Sequence, residues 1–173
     1  MPVGRIILLN GTSSAGKTTL SYALRAQLAE PFCVYASDQL ADAGFRPPAP
    51  HQRYAGRERF FDGFHRSIPA FAAAGNDLIV EHIVEKQSWA DQLATLIGDL
   101  DVFWVGVHAP LAVLEQRERD RGDRTVGESA YHLKTHSFCH YDVEIDTTAR
   151  PTEESAAIIA EAWRRRVIRR MPS

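Results

Sequence analysis

The chain has 173 residues, enough for one domain with a substantial core, and its 45% hydrophobic and 24% charged residues are typical of a globular protein. The formal net charge of -2 gives no overall reason to expect nucleic acid as a partner, and no apolar run is long enough to span a membrane. Because Met1–Arg5 leads directly into a hydrophobic run rather than a signal peptide, we expect a cytoplasmic protein.

A phosphate-binding pattern lies between the first predicted strand, Arg5–Leu9, and a helix with apolar residues at helical spacing. Residues 11–18 read Gly-Thr-Ser-Ser-Ala-Gly-Lys-Thr and fit G-x-x-x-x-G-K-[ST] throughout. Two glycines allow a tight turn around a phosphate, and successive N–H groups and the positive helix end would face the anion. We expect Lys17 to reach the nucleotide phosphates and the Thr18 hydroxyl to ligate Mg²⁺. The predicted nucleotide-binding residues are Gly11, Thr12, Ser13, Ser14, Ala15, Gly16, Lys17, Thr18 and Thr19.

The second predicted strand begins at Phe32 and ends in the polar pair Ser37–Asp38. Cys33 is expected to be a small core residue, and a disulfide with the other cysteine, Cys139, is not expected. Asp38 would lie beside the phosphate loop, where a carboxylate could take the proton of a substrate hydroxyl. The alternatives are that Asp38 holds Mg²⁺ through water or caps the N-terminus of the next helix.

A proline-rich segment, Gly44–Tyr54, is predicted to form a loop over the sheet edge. A helix over Arg57–Ala74 should follow and end at Gly75–Asn76. Aromatic residues at its start could pack on a substrate ring or could be helix core. They are Tyr54, Phe60, Phe61 and Phe64. Residues 44–66 also hold five arginines against two acids, which favours an anionic acceptor if the arginines face the site rather than solvent.

The third predicted strand, Leu78–Val84, carries a candidate metal residue near its carboxyl end. Because strand side chains alternate between faces, Glu81 and His82 cannot both face the site. We expect Glu81 to face it and to hold metal-bound water, and His82 to be either a functional residue or a buried, hydrogen-bonded one.

An arginine-rich segment follows the fourth predicted strand, Val102–Val107, and the helix that Pro110 opens. Gly122 should break that helix, so that residues 117–127 form a lid. In it, Arg121 and Arg124 would neutralise charge on the transferred phosphoryl group. The alternative is an ordinary solvated, salt-bridged helix face.

The remaining elements complete an alternating pattern. We predict a helix over Glu128–His140, a fifth strand at Val143–Asp146 and a last helix from Pro151, whose terminal arginines complement the helix dipole. Strands that alternate with helices predict a single α/β domain over residues 1–173, with a five-stranded parallel sheet and helices on both faces. Ligands bind such sheets at the carboxyl ends of the strands.

Five motifs span most of the chain: Gly11–Thr18, Asp38 after a short strand, Asp99–Val107, Arg121–Arg124 and Tyr141–Thr148. Together they resemble the chloramphenicol phosphotransferase family. The resemblance implies a fold related to the nucleoside-monophosphate and shikimate kinases, ATP as donor and a small-molecule hydroxyl as acceptor. It also implies that Asp38 is the catalytic base, that Arg121 and Arg124 lie in a lid, and that the loop near Thr147–Pro151 lies close to the adenine.

The segment between Asp38 and Leu78 departs from the chloramphenicol enzyme, because it is shorter and rich in arginine and histidine. The resemblance therefore supports fold and reaction more strongly than acceptor identity. We expect an ATP- and Mg²⁺-dependent O-phosphotransferase whose acceptor is chloramphenicol or a related antibiotic. Two rivals remain: a kinase for a nucleotide, nucleotide sugar, RNA end or other anionic metabolite, and a nucleotide-binding regulator without an acceptor.

Overall fold

The fold is built on a five-stranded, fully parallel sheet with strand order β2-β3-β1-β4-β5. The structure is a computed structural model that describes residues 2–45, 50–121 and 127–166. Strands are β1 (Ile6–Asn10), β2 (Cys33–Ala36), β3 (Leu78–His82), β4 (Val102–His108) and β5 (Val143–Asp146). Helices are α1 (Lys17–Gln27), α2 (Ser37–Leu40), α3 (Pro50–Ala73), α4 (Gln87–Ile97), α5 (Leu111–Arg121), α6 (Glu128–His132) and α7 (Thr152–Arg165). The predicted fold class is confirmed.

The central strand β1 divides the core into two layers. Its side chains alternate, so Ile7 and Leu9 pack with α1 and α7, whereas Ile6 and Leu8 pack with α3 and α4. Every residue of β1 is buried, as expected for a strand covered by helices on both faces. In register, Asn10 at the end of β1 lies beside His82 of β3 and Gly106 of β4. The carboxyl ends of three strands therefore meet at one edge, where the phosphate loop begins.

The segment predicted to be a proline-rich loop is mostly helical. A π-helical turn occupies Ala41–Phe45, and α3 begins at Pro50, seven residues before the predicted start at Arg57. Proline is compatible with a first helical turn, because its missing N–H would have no partner within the helix there. Residues 46–49 lie outside the described part of the chain. The predicted end of this helix is confirmed, since Gly75 adopts the left-handed conformation with φ 90°.

Two further predictions were wrong in detail. Cys33 is exposed rather than buried, because β2 is an edge strand of the sheet, and both cysteines are free thiols. The helix predicted over Glu128–His140 is only α6, followed by a 3₁₀ turn at Leu133–Ser137. Among the helices of the described residues, none is long and apolar enough to cross a lipid bilayer.

Candidate active site

The phosphate loop connects β1 to α1 through two left-handed residues, Ser14 with φ 61° and Gly16 with φ 91°. Gly16 suits its position because such a φ disfavours side chains. Gly11 is required for a reason that the sequence did not show: a Cβ there would lie 2.3 Å from the Val107 carbonyl oxygen of β4. Lys17 Nζ donates to the carbonyl oxygens of Gly11 and Thr12, at 2.9 and 2.8 Å, and thus lies across the loop.

Glu81 faces the phosphate loop, as expected. Its carboxylate accepts hydrogen bonds from Thr18 Oγ1 at 2.8 Å and from Ser21 Oγ at 2.6 Å. These bonds direct the two hydroxyl hydrogens toward Glu81, so the lone pairs of Thr18 Oγ1 remain for another partner. Oxygen ligands of this kind suit Mg²⁺, which is usually held by one or two protein groups together with substrate phosphates. The Thr18–Glu81 pair therefore fits the predicted metal role.

Asp38 is the second residue of α2 rather than its N-cap. The N-cap is Ala36, and the Gln39 side chain accepts the hydrogen bond of the Ala36 N–H at 3.1 Å. The suggestion that Asp38 serves as a helix cap is therefore wrong. Asp38 is exposed and lines the same cavity as Lys17 and Thr18.

A cavity of about 760 Å³ joins the phosphate loop to a second half formed by α2, the start of α3 and α6. In this second half, the Arg57 guanidinium pairs with the Glu85 carboxylate, and His132 Nε2 lies 3.2 Å from Glu85 Oε1. Burial alone would raise the pKa of Glu85, but the hydrogen bonds from His132 and Arg57 lower it. The cavity is thus large enough for a nucleotide and a small acceptor, and its second half is polar.

The predicted acceptor residues divide between the cavity and elsewhere. Arg57 and Phe61 line the cavity, whereas Phe64 is core and contacts Tyr35 of β2. Phe60 is partly buried against the same core. Arg59 and Arg66 are exposed on α3 and do not line the cavity. Arg46 and the side chains of His51, Arg53 and Tyr54 lie outside the described part of the chain.

His82 is fully buried on the opposite face of β3 from Glu81, between aromatic rings of α3 and α4. Its Nε2 lies 2.8 Å from Nε2 of His65. Burial lowers the pKa of both histidines, and that of His82 falls well below its usual range. Sequence reasoning did not anticipate His65 as the partner, because the two residues meet only when α3 packs on the sheet.

The base of the predicted lid is tied to the phosphate loop by residues that the sequence did not single out for this role. Arg117 Nη1 donates to the Ser14 carbonyl oxygen and to Thr147 Oγ1, both at 3.1 Å, and Thr147 Oγ1 donates to the Ala15 carbonyl oxygen at 2.8 Å. Thr12 Oγ1 donates to the Ser129 carbonyl oxygen at 2.7 Å. Arg117 follows the buried Leu114 by three residues, and Thr147 follows the buried Ile145 by two residues. These spacings were the available sequence signal for the contacts. The Arg121 side chain and Arg124 lie outside the described residues, so their lid role stays a prediction.

Comparison with known proteins gives a family and a fold. The model of the family described as chloramphenicol phosphotransferase-like protein matches residues 4–164. A protein of Mycobacterium tuberculosis (strain ATCC 25618 / H37Rv) named "Putative O-phosphotransferase Rv2636" is 30% identical over 94% of this chain and 84% of its own length.

Two solved structures illustrate the fold. The Mycobacterium tuberculosis APS kinase CysC, in complex with AMPPNP and APS, has a TM-score of 0.72 at 17% identity and covers 95% of this chain and 99% of its own. The shikimate kinase from Acinetobacter baumannii, in complex with shikimate, has a TM-score of 0.61 at 17% identity and covers 91% and 92%. At these identities the likeness establishes the P-loop kinase fold alone.

Proposed function

This chain belongs to the chloramphenicol phosphotransferase-like family, and on that premise we propose that it is an ATP-dependent O-phosphotransferase acting on a small-molecule hydroxyl. One observation carries the proposal: Lys17 and Thr18 of the phosphate loop line the same cavity as Asp38 and as Arg57 of its polar half. One wall suits a triphosphate, and the other offers a carboxylate base beside room for an alcohol.

Each site residue has a defined part in the proposed reaction. The loop N–H groups and Lys17 bind the β- and γ-phosphates, for which Lys17 exchanges its present carbonyl partners for phosphate oxygens. The oxygen of the acceptor hydroxyl bonds to the γ-phosphorus, and Asp38 accepts the proton of that hydroxyl. At the same time the bond between the γ-phosphorus and the bridging oxygen breaks, and ADP leaves. Thr18 and, through water, Glu81 would hold Mg²⁺, which neutralises charge on the phosphates when bound.

The chloramphenicol hydroxyl is the acceptor that family membership supports best. The excess of arginines in residues 44–66 suggested an anionic acceptor, but the pairing of Arg57 with Glu85 weakens that argument. Arg66, one of the α3 arginines that the structure describes as exposed, donates to Asp62 on its own helix. Within the described residues, therefore, no arginine of this segment enters the cavity with its charge unmatched.

The proposal can be tested by incubating the protein with ATP and Mg²⁺ and each of three acceptors: chloramphenicol, shikimate and APS. We expect ATP consumption to rise with chloramphenicol and mass spectrometry to show a monophosphate ester. Lys17→Ala should abolish the product, because the phosphate loop loses its cation. Transfer to shikimate or APS alone would reject the acceptor but retain the reaction. ATP turnover unchanged by every acceptor would favour a nucleotide-binding regulator.

A further inference from the structure

Four side chains form a continuous hydrogen-bonded row from the protein surface to the wall of the cavity. Gln92 of α4 donates from Nε2 to Asp62 Oδ1 at 2.5 Å, and its Oε1 lies 2.7 Å from His65 Nδ1. His65 Nε2 lies 2.8 Å from His82 Nε2, and His82 lines the cavity. Asp62 is half-exposed, whereas both histidines are buried.

The donors and acceptors of this row follow from its outer end. An ionised carboxylate only accepts hydrogen bonds, so Gln92 must turn its NH₂ to Asp62 and its carbonyl oxygen to His65. His65 Nδ1 therefore carries a hydrogen and donates to that oxygen. In a neutral imidazole the other nitrogen is then an acceptor, so His65 Nε2 accepts from His82 Nε2–H. The remaining nitrogen of His82, Nδ1, is left as a bare acceptor.

Neutral rings are the state this environment favours. The 2.8 Å contact between the two Nε2 atoms requires one N–H donor and one bare acceptor, so a doubly protonated His65 could not take part in it. The ring of His82 also lies among the aromatic rings of Phe61 and Trp89, which offer no acceptor for a second N–H. A second proton on His65 would remove the acceptor of the His82 Nε2–H, and a second proton on His82 would lie on Nδ1, which has no acceptor within the described residues.

Within the described residues, Nδ1 of His82 is buried and has no hydrogen-bond partner. A buried polar atom left unpaired is destabilising, and a native structure that retains one calls for an explanation. His82 is also one of the residues that line the cavity, as are Phe61 and Arg57 of its acceptor half. A donor on a ligand in that cavity is a partner that suits the chemistry of Nδ1.

We propose that His82 Nδ1 accepts a hydrogen bond from an O–H or N–H group of the acceptor substrate, and that His65 and Gln92 are positioning residues that hold this tautomer. This inference rests on the proposed function for the identity of the ligand as the phosphoryl acceptor. It makes a second hydrogen-bond donor, besides the reacting hydroxyl, a required feature of the acceptor. An alcohol without that second donor should be a poor substrate.

The tautomer can be tested without any substrate. Long-range ¹H–¹⁵N spectra of histidine-labelled protein at neutral pH should show His82 protonated on Nε2 and bare on Nδ1. Gln92→Met removes the outer acceptor and should yield a mixture of the two His82 tautomers, whereas a purely structural role for Gln92 would leave the tautomer unchanged. A proton on Nδ1 of His82 in the wild-type protein would overturn the inference.

The contact with substrate can be tested with a matched pair of variants. His82→Gln places an amide near the Nε2 position and leaves nothing at Nδ1, whereas His82→Asn places an amide oxygen near Nδ1. We expect His82→Gln to raise the KM for chloramphenicol about tenfold, as loss of one buried hydrogen bond predicts, with the KM for ATP unchanged. His82→Asn should retain a KM closer to wild type, and melting temperatures show that both variants are folded.

The outcomes separate this inference from the proposed function. If wild-type protein transfers phosphate to none of the three acceptors, the function fails, and a chloramphenicol titration monitored at the His82 Nδ1 resonance then decides the contact alone. A resonance that does not move, or a KM that is equal in His82→Gln and wild type, overturns the contact. Equal increases in the KM for ATP and chloramphenicol would indicate a general disturbance of the site and would also overturn it.

Discussion

At the scale of single residues, Asp38 is the side chain on which the proposed chemistry depends most. We predict that Asp38→Asn lowers kcat by about 10²–10⁴-fold, the usual contribution of a positioned base, while the Kd for ATP is unchanged. The matched control is Asp42→Asn, which neutralises another exposed aspartate four residues later and should leave kcat unaltered. Steady-state kinetics and nucleotide titrations of the two variants provide the comparison.

The opposite outcome has a clear meaning, because the N-cap of α2 is Ala36 and not Asp38. A lowered melting temperature with normal turnover in Asp38→Asn would show that the carboxylate stabilises the positive end of α2 and takes no proton. A loss of ATP affinity equal to the loss of kcat would instead indicate that Asp38 helps to hold the metal.

The residues of the phosphate loop were predictable because their pattern is local in sequence. Gly16, Lys17 and Thr18 act within one turn of chain, so their spacing alone conveys their geometry. A further need for glycine at position 11 was not predictable, since it arises from contact with Val107, 96 residues away. The pairing of His82 with His65 was likewise hidden, because it depends on how α3 packs on the sheet.

At the scale of elements, α6 is too short to be stable by itself and is held by a residue of α5. It spans five residues and has no capping hydrogen bond from its own N-cap, Gly127. Instead, the buried carboxylate of Glu118 accepts hydrogen bonds from the N–H groups of Gly127 and Ser129, at 3.0 and 2.6 Å. Burial alone would raise the pKa of Glu118, but these bonds lower it. Glu118 thus fixes the first turn of α6, where the Ser129 carbonyl oxygen accepts the hydrogen bond from Thr12 Oγ1.

We predict that Glu118→Ala destabilises the fold by about 1–3 kcal/mol, because two backbone donors lose their partner. Hydrogen exchange of the Gly127 and Ser129 amides should accelerate more than that of amides in β1. Glu115→Ala, which removes a half-buried glutamate from the same helix, is the control and should change both quantities less. Unaltered exchange at the two amides would show that α6 does not depend on Glu118.

Element types were easier to predict than element limits. All five strands were predicted, and β5 with its observed bounds, because hydrophobic runs separated by helices leave few alternatives. The start of α3 was missed because prolines near Pro50 favoured a loop, although a proline is tolerated in a first helical turn. The change to a 3₁₀ turn after His132 follows from long-range bonds, such as that from Thr135 Oγ1 to Asn10 Oδ1 at 2.9 Å.

At the scale of the whole molecule, buried and half-buried histidines lie on both sides of the sheet centre. His65 on α3 and His82 on β3 are buried against each other, and half-buried His136 lies near the ends of β4 and β5, stacked on His108 at a ring distance of 3.8 Å. Burial first, and then the charges of His108 and Lys17, lower the pKa of His136 from 6.5 to about 4. The neutral ring is also favoured because Asn10 Nδ2 donates to Tyr141 Oη, which leaves the Tyr141 hydrogen for His136 Nδ1 at 2.8 Å.

This arrangement predicts a fold that weakens in mild acid. A histidine whose folded pKa lies below its unfolded value of 6.5 takes up protons first in the unfolded chain, so stability falls as the pH drops from about 6.5 toward about 4. We expect the free energy of unfolding in urea to decrease between pH 6.5 and 4.5, before most carboxylates titrate.

His136→Asn should make that decrease shallower, because an amide cannot be protonated there but can still accept a hydrogen bond from Tyr141. His140→Asn, which removes an exposed imidazole, is the control for the loss of one histidine. A slope in His136→Asn as steep as in wild type would show that His136 does not contribute to acid sensitivity.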